Sequence, residues 1–143
     1  MKKTMLLAAL LCCVLSACAV PPAAPKEPGA PDVDLTVMNA TMVYGEVYNM
    51  MTNPEDYMGK TVKARGPYYA SFYEETGQVY HFVLIEDAAA CCQQGLEFIW
   101  DGHAYPDSFP PDNTNVEVTG VFGQYEELGE VYYYLAVGSM TVL

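Results

Sequence analysis

Basic residues are scarce in this chain: of 143 residues six are Lys or Arg, against eighteen Asp and Glu, for a net charge of -12. Proteins that hold nucleic acid neutralise its phosphates with Lys and Arg, so this balance argues against a nucleic-acid partner. Catalytic templates are missing as well. No G-x-S-x-G, H-E-x-x-H, phosphate-binding loop or dinucleotide fingerprint occurs, which leaves no motif-based case for an enzyme. There is no D-x-[DN]-x-[DN]-G calcium loop, and the oxygen-rich DSFPPDNTN at 107–115 reads as a Pro-rich turn. No apolar run reaches the ~20 residues that a bilayer core requires. Soft metal ligands are few: two histidines and five cysteines.

What is present begins with MKKTMLLAALLCCVLSAC, a lysine pair followed by an apolar run over residues 5–15. That is the layout of an export signal rather than of a spanning helix. Its end, Leu15-Ser16-Ala17-Cys18, resembles the lipobox of bacterial lipoproteins. The resemblance implies cleavage before Cys18 and acylation of that cysteine with palmitate-type chains. The expected organisation is a signal peptide over 1–17, a Pro/Ala-rich tether over 18–38 (AVPPAAPKEPGAP) and one folded domain over 39–143. Such a protein would sit in the cell envelope, held to a membrane on the exported side by its lipid anchor. Loss of Lys2 and Lys3 would leave four basic residues against eighteen acids, a net charge of -14. Cys12 and Cys13 would leave with the signal, so Cys91 and Cys92 would be the only unmodified cysteines.

In the folded part, Val43, Tyr44, Val47, Tyr48 and Met51 recur at helical spacing and predict an amphipathic helix from Thr41. Asn53-Pro54-Glu55-Asp56 starts a second short turn, with Asn53 as its cap and Gly59 as its end. The period then drops to two. Strands are expected over 61–73, bent at Gly66-Pro67, and over 79–85, 96–100, 116–125 and 131–137, with a short edge strand over 140–143. Five strands joined by hairpin turns, the first long and bent, predict a small OB-like barrel whose N-terminal helix plugs one end. An SH3-like barrel or a small β-sandwich is the alternative.

The run 57–66 (YMGKTVKARG), the pair Cys91-Cys92 followed by Gly95-Leu96-Glu97-Phe98, and Val116-Glu117-Val118-Thr119-Gly120 together resemble the C-terminal domain of a family of bacterial permease subunits. The resemblance covers about residues 53–137. It implies an OB-like module and draws attention to the cysteine pair. The family's aspartate after the pair is replaced here by Gln93 and Gln94, so no further ligand is implied there.

Three readings of Cys91 and Cys92 stand side by side. A zinc-type metal site would take both with His81 or His103, although adjacent cysteines lack the usual spacing. A disulfide between neighbours would be strained, since their alpha carbons lie only about 3.8 Å apart, and would suit thiol-redox chemistry. Two buried thiols filling a small space is the plainest reading. His81 alternates with Val79, Val83 and Ile85, as a core or rim histidine does, while His103 lies beside a turn. The aromatics suggest a surface. If Val131, Tyr133, Leu135 and Val137 face inward, Tyr132 and Tyr134 face outward, and Tyr69 and Tyr73 alternate in the same way on the first strand. Such a patch suits recognition, although tyrosine also simply suits strands. The resulting expectation is a membrane-anchored lipoprotein with a non-catalytic OB-like module for a small ligand or an envelope protein. Its alternative is metal or thiol-redox chemistry at Cys91 and Cys92.

Overall fold

The computed structural model describes residues 29–89 and 92–143. The expected signal, lipidation site and most of the tether fall outside those residues, as does Cys91. No helix among the described residues is long and apolar enough to cross a membrane.

Order begins earlier than residue 39. Asp32 makes a two-way bond with Thr61, its N–H donating to the Thr61 carbonyl at 2.7 Å and its carboxylate accepting the Thr61 N–H at 2.8 Å. Strand β1 (Val33–Asp34) then pairs in parallel with Val62 and Lys63, burying Val33. Asp34 caps the 3-10 turn Leu35–Val37 by accepting the Thr36 N–H at 2.9 Å, which turns Leu35 into the core. The expected tether boundary at 38 is therefore corrected. Val-Asp-Leu is too short to show a period, yet its two apolar residues complete the core.

Helix α1 (Ala40–Thr52) is capped by Asn39, whose side chain accepts the Met42 N–H at 3.0 Å. Its buried residues are Val47 and Met50, with Val43, Tyr44 and Met51 packed alongside. Tyr48, expected on the buried stripe, is 59% exposed, because the buried face centres on the i, i+3 pair Val47 and Met50. The 3-10 turn Pro54–Asp56 follows as expected, but Asn53 does not cap it through its side chain, which instead donates to Asn49 at 2.7 Å. Gly59 ends the turn at φ +75, a conformation that favours glycine.

Five strands form the barrel: β2 (Thr61–Tyr73), β3 (Gln78–Glu86), β4 (Gln93–Ile99), β5 (Asn115–Glu127) and β6 (Glu130–Val142). They pair in the order β2-β3-β4-β6-β5 and close through β2–β5, with β4 and β6 parallel and the other barrel pairs antiparallel. This is an OB-like barrel with an N-terminal helix, in place of the SH3-like and sandwich alternatives. β2 serves both halves: its residues 61–67 pair with β5 and its residues 68–73 with β3. The expected edge strand at 140–143 is the continuation of β6 beyond a bulge at Thr119/Gly120, where Val142 pairs with Val116.

The core follows the period-two pattern. Val62 and Ala64, Val83 and Ile85, Leu96 and Phe98, Val116 and Val118, and Leu135 and Val137 all point inward, and Phe122 and Tyr68 fill the space between them. α1 packs on β3 and β4. Toward the other end of those strands, the connection over 100–114 brings in Phe109, stacked on His81 at 4.0 Å and near Tyr68 and Phe98. That connection is tied to β2, because Asn113 donates to the Tyr68 carbonyl at 2.8 Å and Asp112 accepts the Ala70 N–H at 2.9 Å.

Candidate functional site

Side chains opposite one another in a ladder share a face, so the outward row is read directly from the register. Tyr69 faces Phe82, Phe82 faces Glu97, and Glu97 faces Tyr134. Across the β5–β6 hairpin, Tyr125 faces Tyr132. The far part of that hairpin lies against the outer face of β3 and β4. There Tyr125 donates to Glu97 at 3.0 Å from one carboxylate oxygen and 3.2 Å from the other, and Tyr80 donates to Glu127 at 2.6 Å.

These two tyrosine–glutamate bonds divide a groove into two lobes, both of which are lined by Tyr80, Glu97, Tyr125 and Glu127. One lobe, of about 430 Å³, runs to the barrel mouth and is lined further by His81, Phe98, Trp100, Asp101, His103 and Phe109. The other, of about 350 Å³, is lined further by Ser71, Tyr73, Phe82 and Tyr132. Tyr132 stacks on Tyr125 at 5.5 Å, and Tyr134 meets Tyr125 edge-on at 5.7 Å.

Glu97 is the unusual group. Its residue is only 9% exposed, and burial, with a contribution from the charge of Glu127, pushes its carboxyl up to about 6. Burial and the bonds to their glutamates likewise push the Tyr125 and Tyr80 hydroxyls up, so both stay protonated donors at neutral pH. No Lys or Arg lines either lobe. Lys63 and Arg65 bind Glu117 at 2.8 and 2.6 Å, holding its carboxyl below the usual range, and Lys60 lies over the ring of Tyr57.

A carboxyl pushed up by folding binds its proton more tightly in the native than in the unfolded chain, so its contribution to stability falls as pH rises. The loss begins near the usual 4.5 and is complete above about 6, and amounts to about 2 kcal/mol. The titratable groups facing Glu97 are Tyr125 and Glu127 of β5, Tyr80 of β3 and Tyr134 of β6. Glu97→Gln is therefore expected to be as stable as or more stable than the parent at pH 7.5, and to remove that component of the pH dependence. Urea unfolding of both proteins between pH 4.5 and 7.5 reads the difference. Parallel stability curves for the two would contradict the assignment.

The sequence-predicted residues fall in two places. His81 is half-buried, with Nδ1 2.8 Å from the Tyr68 hydroxyl, and burial pushes its pKa down, so it is neutral at pH 7. That is the rim position its alternation implied. His103 stacks on Trp100 at 3.4 Å and lies 3.0 Å from the Asp101 carbonyl through Nδ1. Tyr73 and Tyr132 line the groove, Tyr134 supports Tyr125, and Tyr69 lies beside Phe82 outside both lobes.

Cys92 lies elsewhere. It precedes β4 in the β3–β4 connection, with its carbonyl accepting the Asp87 N–H at 3.0 Å, and it is exposed. The reading of buried thiols is thus corrected for Cys92, which sits in a surface connection rather than on an inward strand position. His103 follows the far end of β4, and His81 pairs with Phe98 near that end. At about 3.3 Å per residue the seven residues of β4 set them roughly 20 Å from Cys92. Among the described residues no three His, Cys, Asp or Glu side chains converge as a metal site.

Glu97, Tyr80, Tyr125 and Glu127, the four residues common to both lobes, are among the groove residues that sequence reasoning missed. Glu97 alternates with Leu96 and Phe98 and so reads as a solvent-facing acid, and Glu126-Glu127 reads as a solvated hairpin tip. The pairing of tyrosines with acids on outward strand positions was the available signal. No protein-family model matches the chain, and no curated protein and no solved structure matches it significantly.

Proposed function

We propose that this protein is a membrane-anchored lipoprotein of the cell envelope whose OB-like barrel is a non-catalytic binding module, with the groove around Glu97 as its ligand site. The observation that carries the reading is a buried carboxylate at the floor of a tyrosine-walled groove. Glu97 costs stability where it lies, and such perturbed carboxyls in clefts are characteristic of sites. The size suits a small ligand or a few side chains of a protein partner. The export-signal pattern and Cys18 support anchoring. No observation favours metal or redox chemistry over this reading.

Two measurements test it. Labelled palmitate should enter the protein in bacterial cells and be lost in Cys18→Ser; equal labelling of both proteins would remove the anchor. Amide chemical-shift mapping against a mixed set of small polar solutes should place the largest shifts on the strands around Tyr80, Glu97, Tyr125 and Tyr132. Shifts concentrated elsewhere would remove the groove.

A further inference from the structure

We infer that the groove takes a protonated aliphatic amine, held by the Glu97 and Glu127 carboxylates between tyrosine rings; this rests on the groove being the ligand site. The first argument is a count of hydrogens. An ionised carboxylate offers about four acceptor sites. The two oxygens of Glu97 share one hydrogen, that of the Tyr125 hydroxyl, while the residue is nine-tenths buried. A buried anion with spare acceptor sites is satisfied by a donor carrying several hydrogens and a positive charge, and an ammonium group brings three.

Charge gives the second argument. Glu97, Glu127 and Asp101 line the groove with no Lys or Arg among them, and the whole chain carries a net charge of -12. A cleft of one sign with low-dielectric walls concentrates ligands of the other. Wall chemistry gives the third. Tyr73, Tyr80, Tyr125 and Tyr132 line the second lobe, and aromatic rings suit both a cation and the carbon chain that carries it. A resident metal ion is held by several converging side chains, about four for structural zinc and about six or more oxygens for calcium, and among the described residues no three His, Cys, Asp or Glu side chains group in that way. The amine could be a free diamine or the side chain of a lysine in a partner protein. Both present the same group.

The test uses the full chain in non-ionic detergent and the fluorescence of Trp100, the single tryptophan, which lines the first lobe. The probes are 1,5-diaminopentane, a short lysine peptide blocked at both ends, 1,5-pentanediol as a neutral match, and a neutral chitin trisaccharide. At least one amine probe should change Trp100 emission and the amide signals around Glu97, whereas pentanediol at equal concentration should not. The tighter of the two amines identifies the source. Glu97→Gln should weaken amine binding by about tenfold or more, the loss expected for a charged hydrogen bond, without lowering thermal stability. Binding should also weaken as pH falls from 7.5 to 5, because protonated Glu97 no longer attracts a cation.

Amine binding that is unchanged in Glu97→Gln, or equal binding of pentanediol, overturns the inference. If the trisaccharide shifts the groove signals and neither amine does, the ligand class falls while the groove stands as the site. If every probe acts elsewhere or not at all, both readings fail together.

Discussion

Gly66→Ala is expected to destabilise the barrel by about 3 kcal/mol, at the upper end of overpacking penalties, and to lower its melting temperature by roughly 10–20 °C. Gly66 lies just before the point, between Pro67 and Tyr68, where the long strand β2 passes from β5 to β3, and its backbone runs against that of Leu84. An added methyl would run into the Leu84 carbonyl oxygen, which cannot turn aside as a side-chain tip can. Gly45 is the control. It lies within α1, and a Cβ there would meet nothing within 4 Å. Gly45→Ala should therefore gain up to about 1 kcal/mol from helix propensity alone. Thermal melts of the two variants would decide the matter, since equal behaviour at both sites would mean that the close approach at Gly66 does not constrain the fold.

Phe98→Ala is expected to cost about 3–5 kcal/mol, the range for deleting a large aromatic side chain from a core. Phe98 is 1% exposed and lies among Tyr68, His81 and Phe109, at ring-centre distances of 6.2, 6.0 and 6.3 Å. Its removal takes away the surface on which Phe109 closes that end of the barrel. Against a typical total of about 5–15 kcal/mol for a domain, the variant would be close to unfolding. Phe98→Leu should cost less, about 1–2 kcal/mol, since most of the volume is kept. Urea unfolding gives both values, and near-ultraviolet circular dichroism should show loss of the ordered aromatic signal in the alanine variant first. A cost below about 1 kcal/mol for alanine would show that the cluster is not packed as described.

The barrel was largely legible because its causes are local. Val62 and Ala64, or Leu96 and Phe98, alternate with polar residues, and Gly66, Gly77 and Gly129 mark places where the chain bends or turns. What escaped had causes elsewhere in the chain. Val33 and Leu35 join the core through the Asp32–Thr61 bonds, the pairing of β1 with Val62 and Lys63, and the Asp34 cap, and no short-range pattern announces those long-range contacts. Tyr48, expected on the buried stripe, is exposed, while Met50 is buried, because the way α1 sits on β3 and β4 decides which flank of the helix is covered. The groove shows the same limit. Alternation correctly turned Tyr132 and Tyr134 outward, but whether an outward residue stays wet depends on what lies across it. Glu97 is nearly covered because the hairpin carrying Tyr125 and Glu127 leans over it, a tertiary fact about residues 28 and 30 positions away.

The double duty of β2 also bears on how quickly the barrel can assemble. The β2–β3 and β5–β6 hairpins join neighbours in the chain, and hairpins of this kind close within microseconds. Closure is another matter: Arg65 must find Glu117, 52 residues further along, before β2 and β5 can zip together. The chain entropy of that search is lost before most of its contacts form, which places barrel closure in the millisecond-to-second range typical of non-local β topologies. Until then the inward faces of two preformed hairpins remain exposed, and this interval is when the nascent chain is most open to association with other chains.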